Sequence, residues 1–313
     1  MSTPTSGVAV VALDVGGTAM KGVVLNTTTH AREARRWETR REQGPEAVVA
    51  QVLGAVDELC ALAPDARAVG LVVPGVVDEE TGVAIYSENI EWRDVPFRRL
   101  VNERTGLPVG FGHDVRAGGL AERELGAAAG CDDVLFVPIG TGIAGAMFVD
   151  GRLVQHPYAG EIGHVHAGFD EPCACGAVGC LEAVASGAAI SRRYAARAGD
   201  AVPAEEVLRR AGHEDADAVA VWDDALDALA RVLTTYVSIL APQRIVVGGG
   251  VSRAGERLLG PLRARLRDLL VWQQQPEVVP AVLADEAGSL GAGLLARRAL
   301  ARTTPTDVPR QER

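Results

Sequence analysis

The chain is poor in positive charge: 31 basic residues stand against 41 acidic ones in 313, a net charge of −10, and a single lysine, Lys21, accompanies 30 arginines. No basic stripe or polybasic tail is present, which argues against nucleic acid as a main partner. No apolar run approaches the roughly 18 residues of a membrane helix. The opening "MSTPTSGVAVVALDVGG" does not read as a secretory leader, because its apolar run is short, follows no basic segment and is broken by Asp14. The compartment expected by default is the cytoplasm, and no membrane partner is expected. Cysteine is scarce, at five residues. In a reducing compartment these are metal ligands or core residues rather than disulfides. Cys60 and Cys131 stand alone and read as small core residues.

What is present suffices for one large domain or two medium ones, with 48% hydrophobic residues and 36 glycines. Residues 8–14, "VAVVALD", read as a buried strand, "VGGT" as a turn and "MKGVVL" as a second strand. Residues 45–62 carry helical spacing behind a proline, and "AVGLVVPGVVD" is a strand ending at Pro74-Gly75. The opening pattern then recurs: strand 133–139, the turn "GTGIAG", and a strand "AMFVDGRLV". Two copies of strand, glycine turn and strand, about 125 residues apart, predict two related lobes whose hairpin tips face a shared cleft. The second half reads as helices over 186–198, 204–212, 223–240, 253–270 and 286–301, interrupted by a strand at 244–250. The polar tail after Arg302 is expected to be disordered.

Several short stretches can carry chemistry. In "DVGGTAMKG" the N–H groups of Gly16, Gly17 and Thr18 can cradle phosphate oxygens, Asp14 can hold magnesium through water, and Lys21 adds positive charge. An ordinary tight hairpin reads equally from the same letters. The spacing is not that of a Walker A loop. "GTGIAG", residues 140–145, matches GxGxxG, but a strand follows it instead of the helix of a dinucleotide fold. The chain has neither HRD nor DFG, which removes protein kinases. A second phosphate hairpin remains, with Thr141 and Gly142 as contacts. "GGGVS", including Gly249 and Gly250, lies between a strand and a helix, where it can approach a nucleotide or simply connect the two. Asp114 in "FGHDVRAGGLAE" sits at a strand end, suited to a general base or to a helix N-cap.

Three of the cysteines fall within "GEIGHVHAGFDEPCACGAVGCLE", residues 160–182. His164, Cys173, Cys175 and Cys180 offer one nitrogen and three sulfurs, the donor count of a closed tetrahedral zinc site. With four protein ligands no water is activated, so the zinc is structural. Reduced, unliganded cysteines are the alternative. His166 is expected to alternate with His164 on a strand and face the other way. A metal there would pin Glu161, His164 and Glu182, good partners for a polyhydroxyl ligand.

Together these stretches resemble the ROK family, and within it the bacterial glucokinase-like sugar kinases. The resemblance spans roughly residues 8 to 300 and rests on "DVGGTAMKG", "PGVVD", "ENIEW", "GHD", "IGTGIAG", "GEIGH", "CACGAVGCLE" and "IVVGGG", in family order. It implies an α/β, two-lobed actin-like (ribonuclease-H-like) ATPase fold with ATP and sugar meeting in the interlobe cleft. The implied lobes are 1–114, completed by the helix at 286–301, and 115–285 with the zinc site, followed by a tail at 302–313. Asp114 matches the base that takes the proton from the sugar 6-hydroxyl. Gly75, Asn89, Glu161, His164 and Glu182 match sugar-contacting positions. Asp14, Gly16, Gly17, Thr18, Thr141 and Gly142 match magnesium and phosphate positions. The implied partners are a hexose or amino-hexose and ATP with Mg2+, in a homo-oligomer, dimer or tetramer.

Two positions depart from the family pattern. His113 replaces the Asn that precedes the catalytic Asp and contacts the sugar around its 3-position. The substrate is then a glucose altered near C3, such as kanosamine (3-amino-3-deoxy-D-glucose), or plain glucose still bound by His113. Ala144 stands where the second phosphate loop has Gly. Competing functions are another hexose or N-acetylhexosamine kinase, a repressor lacking its DNA-binding domain, and an inactive sugar-binding module.

Overall fold

The first apolar run folds back on the second: β1 (Val10–Val15) pairs antiparallel with β2 (Ala19–Leu25), setting Asp14 opposite Lys21. A computed structural model describes residues 7–303. The chain forms two compact units. Of the described residues, the first holds 7–121, His156–Tyr158 and 286–303; the second holds Glu122–Gln155 and Ala159–Asp285.

In the first unit β3 (Ala31–Glu38) extends the hairpin as an edge strand. It is largely exposed and carries five charged side chains in eight residues, which discourages further strand pairing. Helix α1 (Pro45–Leu62) begins on proline, whose missing N–H costs nothing in a first turn. It buries Val48, Val52, Ala55, Val56 and Leu59 at three- and four-residue spacing. The fully buried β4 (Val69–Val73) joins β1 in parallel. A small antiparallel sheet follows, β5 (Val76–Asp78), β6 (Val83–Tyr86) and β7 (Arg93–Val95). Helix α2 (Phe97–Thr105) ends on Gly106 in the left-handed region. Then β8 (Val109–His113) pairs in parallel with β4 and leads directly into α3 (Asp114–Leu125). The sheet order is β3-β2-β1-β4-β8.

The second unit repeats this plan. Its strands are β9 (Val134–Pro138), β10 (Ala146–Val149) and β11 (Arg152–Leu153). Helices α4 (Leu181–Ala185), α5 (Gly187–Ala198), α6 (Ala204–Ala211) and α7 (Ala216–Leu240) follow. The chain then adds β12 (Arg244–Gly248), α8 (Glu256–Leu269) and β13 (Glu277–Pro280). The order β11-β10-β9-β12-β13 again runs from an antiparallel hairpin into parallel strands. The last helix, α9 (Ala287–Thr303), packs on β1, β4 and β8. The duplication expected from the recurring glycine turns is therefore present as a repeated sheet topology.

Some local expectations are corrected. "AMFVDGRLV" is not one strand but a hairpin, broken where Asp150 and Gly151 take φ of 50° and 71°, the conformation tight hairpin turns require. The helix expected from 223 starts at Ala216, capped by Asp215, whose carboxylate accepts the Ala218 N–H at 3.0 Å. The helix expected over 253–270 is interrupted by Gly255 at φ 59°. His164 and His166 do not share a strand: Ile162–His164 is a 3-10 turn. The expected disordered tail begins too early, because α9 runs on through Arg302 to Thr303; its remainder, 304–313, lies outside the described residues. Among the described residues no helix is long and apolar enough to cross a membrane.

Candidate active site

In open parallel sheets, ligands gather at the carboxyl ends of the strands, where backbone and side chains emerge from the layer. In the first unit three neighbouring strands end this way: β1 at Asp14 and Val15, β4 just before Pro74-Gly75, and β8 on His113 followed by Asp114. Gly75 sits at φ 98°, and a β-carbon there would meet the Tyr86 carbonyl at 2.1 Å, so only glycine fits this corner. The β1–β2 turn closes when the Gly16 N–H donates to the Ala19 carbonyl at 3.0 Å and Thr39 Oγ1 donates to the Gly16 carbonyl at 2.7 Å. Gly16's N–H is thus committed to the turn. Those of Gly17 and Thr18 have no acceptor among the described residues. Asn89 lies beside this turn, its Cβ 3.6 Å from where a Gly17 β-carbon would stand.

Asp14 is the electrostatic centre of this end. Burial pushes its carboxyl up to about 6 from 3.8, and Lys21 across the hairpin pulls it partly back. Gly288, in the first turn of α9, leaves the space it needs, since a β-carbon there would come within 2.3 Å of Asp14 Oδ2. The carboxylate therefore rests against a helix N-terminus, whose dipole favours negative charge.

Asp114 opens α3. Its Oδ1 accepts the Val115 N–H at 2.7 Å, and its side chain is 27% exposed. His113 beside it is buried, with Nδ1 3.4 Å from Asp114 Oδ1 and 3.4 Å from the Arg116 N–H. Burial, aided by the Arg116 charge, pushes the imidazole down to about 3, so it is neutral near pH 7. Arg116 and Glu79 complete the group as a buried ion pair, Nε to Oε1 at 2.6 Å. Sequence reasoning missed this pair; the one available signal was a charged residue placed three positions after His113 at the start of a helix.

In the second unit the equivalent strand ends are Ile139–Thr141 after β9 and Gly249–Gly250 after β12. Glu182 holds the glycine loop, because its Oε2 accepts the Ile143 N–H at 2.8 Å. Gly142 allows this approach: a β-carbon there would lie 2.5 Å from the same oxygen. The Gly145 N–H donates to Gly160 at 2.7 Å, so the loop is also fastened to the segment carrying Glu161 and His164. A cavity of ≈990 Å³ opens beside Gly140, Thr141, Ser191, Gly250, Arg253 and Arg257. Thr141 and Gly250 were expected near a nucleotide; Ser191, Arg253 and Arg257 had no local motif to reveal them. A cavity of this size and mixed lining can take a nucleotide.

His164, Cys173, Cys175 and Cys180 converge, with one donor atom from each lying within 4.8 Å of the others. His164 presents Nδ1, 3.8 Å from Cys173 Sγ, and the Cys175 and Cys180 sulfurs are 3.7 Å apart. A tetrahedral ion with Zn–S bonds of about 2.3 Å sets its sulfurs roughly 3.8 Å apart, so the donor set fits. Cys180 is pushed up to about 12 by burial and by its two neighbouring thiols, whereas the Ala177 N–H lowers Cys175. A bound cation is what lets three such thiols ionise together. The loop has a second anchor in Arg193, which donates to Glu171 at 2.9 Å and to Asp224 on α7 at 2.7 Å.

The chain matches the ROK family over residues 10–299. It is 34% identical to the glucokinase of Thermotoga maritima over 303 residues, 90% of this chain and 95% of that protein. A crystal structure of a ROK family glucokinase from Streptomyces griseus in complex with glucose and AMPPNP superposes with a TM-score of 0.81 at 29% identity, covering 93% of this chain and 99% of that one. A ROK hexokinase structure from Thermus thermophilus gives 0.82 at 32% identity, covering 94% and 99%. The chain belongs to the ROK family, and its mixed α/β architecture is of the actin-like, two-lobed class.

Proposed function

We propose that the chain is an ATP-dependent hexose 6-kinase that transfers the γ-phosphoryl of ATP to the 6-hydroxyl of glucose or of a glucose altered at C3, such as kanosamine. The likeness to glucokinases over nine-tenths of the chain supports the class. The observation that carries the mechanism is Asp114: a carboxylate at the end of β8, oriented by its own helix N-terminus and reachable from solvent. It takes the proton from the attacking hydroxyl. Phosphoryl transfer otherwise asks for positioning and charge neutralisation. Gly17 and Thr18 N–H groups and the loop at Thr141–Gly142 bind phosphate oxygens, and the cavity beside Gly250 and Arg257 takes the nucleoside. Mg2+ arrives with ATP and supplies counter-charge; Asp14 is the residue that would hold it, with Lys21 opposite. Gly75, Asn89, Glu161, His164 and Glu182 contact the sugar, as does His113. Zinc on His164 and the three cysteines would be a structural cross-link, leaving His164 Nε2 for a sugar hydroxyl. The working protein is a homo-oligomer.

The test is coupled ADP release with Mg-ATP and glucose, mannose, glucosamine, kanosamine, allose and N-acetylmannosamine. One or more hexoses are turned over, and Asp114→Asn lowers kcat by about 10²–10⁴ with little change in KM. An Asp114→Asn protein as active as the parent overturns the assignment of the base. Absence of turnover with every hexose overturns the kinase reading.

A further inference from the structure

The buried pair Arg116–Glu79 touches His113 from two directions. Glu79 Oε1 accepts the Arg116 Nε–H at 2.6 Å and the His113 backbone N–H at 3.2 Å. The Arg116 backbone N–H points at His113 Nδ1 at 3.4 Å. The guanidinium is held further by the Val77 carbonyl at 3.0 Å and the His156 carbonyl at 3.3 Å. Its side chain is 3% exposed and that of Glu79 12%, so neither is a surface ion pair free to rearrange.

The Arg116 backbone N–H decides the tautomer, and the side-chain pair, through Glu79 on the His113 N–H, holds the backbone at 113 and 116 in place for it. A peptide N–H always carries its proton, so the ring nitrogen it meets has to offer a lone pair. Nδ1 is that nitrogen. Asp114 Oδ1, also 3.4 Å from Nδ1, accepts the Val115 N–H at 2.7 Å and is no donor to Nδ1, so the Arg116 N–H is the group that sets the ring's proton. A neutral ring whose Nδ1 accepts has its proton on Nε2. Nε2 has no partner among the described residues. The side chain as a whole keeps 10% of its surface exposed.

We propose that Arg116 and Glu79 are positioning residues that lock His113 as an Nε2–H donor, so that the hexose group set against it has to be a neutral hydrogen-bond acceptor, a hydroxyl or an uncharged amine, and not an ammonium. The neutrality forced on the ring by burial agrees with this. The proposal rests on the reading that His113 faces the sugar. It narrows that reading: glucose fits directly, and an amino sugar such as kanosamine fits only as its free amine.

Two measurements test it. The first is 15N NMR of the histidine side chains from pH 6 to 8, with the His113 signals assigned by their loss in His113→Asn. The expected pattern is a neutral ring protonated at Nε2 throughout; an Nδ1–H ring or an imidazolium overturns the proposal. This readout needs no sugar, so it stands or falls apart from the kinase reading. The second compares kcat/KM for 3-deoxy-3-fluoroglucose, which accepts but cannot donate, with 3-deoxyglucose, which does neither. The fluoro sugar is expected to be about 10-fold better, because an unmet donor is penalised in a desolvated site. Equal values overturn the proposal. In Arg116→Met/Glu79→Met, which removes both charges together and keeps apolar volume, the ratio is expected to fall toward one and the NMR signals to show mixed tautomers. A folded double variant, by melting curve, with the parent ratio and tautomer refutes the clamp.

Discussion

The two glycine turns sit at the same place in two copies of one sheet topology, yet they are held in different ways. The turn at Gly16–Thr18 closes on itself through the Gly16–Ala19 hydrogen bond and is backed by Asp14 on the N-terminus of α9. The turn at Gly140–Gly145 is held from outside, by Glu182 on Ile143 and by Gly160 on Gly145, both in the segment that also carries His164 and the three clustered cysteines. The repeated sheet fixes where a turn emerges. It does not fix which carboxylate stands behind it or what keeps that carboxylate in place.

The sharpest break in the comparison comes at Asp14. Asp14→Asn is expected to lower kcat/KM by roughly 10²–10³, as loss of a preorganised electrostatic contact does. The same change stabilises the metal-free protein. The folded carboxyl titrates near 6 and the unfolded one at 3.8, so between these values the folded state keeps a proton that the unfolded chain has released. Stability therefore falls as pH rises from about 4 to 6, and at pH 7 the loss is about 3 kcal/mol. Asn removes that loss, and a melting temperature higher by roughly 5 °C at pH 7.5 is expected, with the difference vanishing near pH 4. A melting series against pH checks both signs. The largest effect on stability, as Asp14→Asn has the largest on rate, is that of Cys173→Ser or of a strong chelator. A closed tetrahedral site contributes on the order of 10 kcal/mol when formed, so a fall in melting temperature of about 15 °C is expected. Hydrogen exchange should rise at 140–145 and stay unchanged at 16–18; equal increases at both turns would erase the distinction drawn above. Gly142→Ala drives a methyl to 2.5 Å from Glu182 Oε2 and is expected to cost about 1–3 kcal/mol and raise the KM for ATP. Gly17→Ala is the mildest change, since the nearest atom would be Asn89 Cβ at 3.6 Å; stability should move by less than about 0.5 kcal/mol.

The parts legible in the sequence were those with their own local signature. Both hairpins, the buried strands at Val69 and Arg244 and the helix at Pro45 all announce themselves through apolar runs and turn residues. The donors at His164, Cys173, Cys175 and Cys180 were readable because a short loop can only gather neighbours, and Cys173–Ala177 backbone pairing draws them together. Strand β3 was missed because an exposed, arginine-rich edge lacks the alternation that marks a half-buried strand. Strand β13, four residues long and half exposed, is defined by its partner β12 alone. The Arg116–Glu79 clamp spans 37 positions, and no window of sequence contains both halves. The same holds for Gly288, which reads as an ordinary helix glycine until Asp14 is seen against it.

That last contact has an implication for biosynthesis. The ribosome delivers Asp14 long before Gly288, so the Gly16–Thr18 turn is drafted early and finished only when α9 emerges and settles on β1, β4 and β8. A nascent or truncated product stopping short of residue 286 would own the whole "DVGGTAMKG" signature and still lack the floor beneath its aspartate.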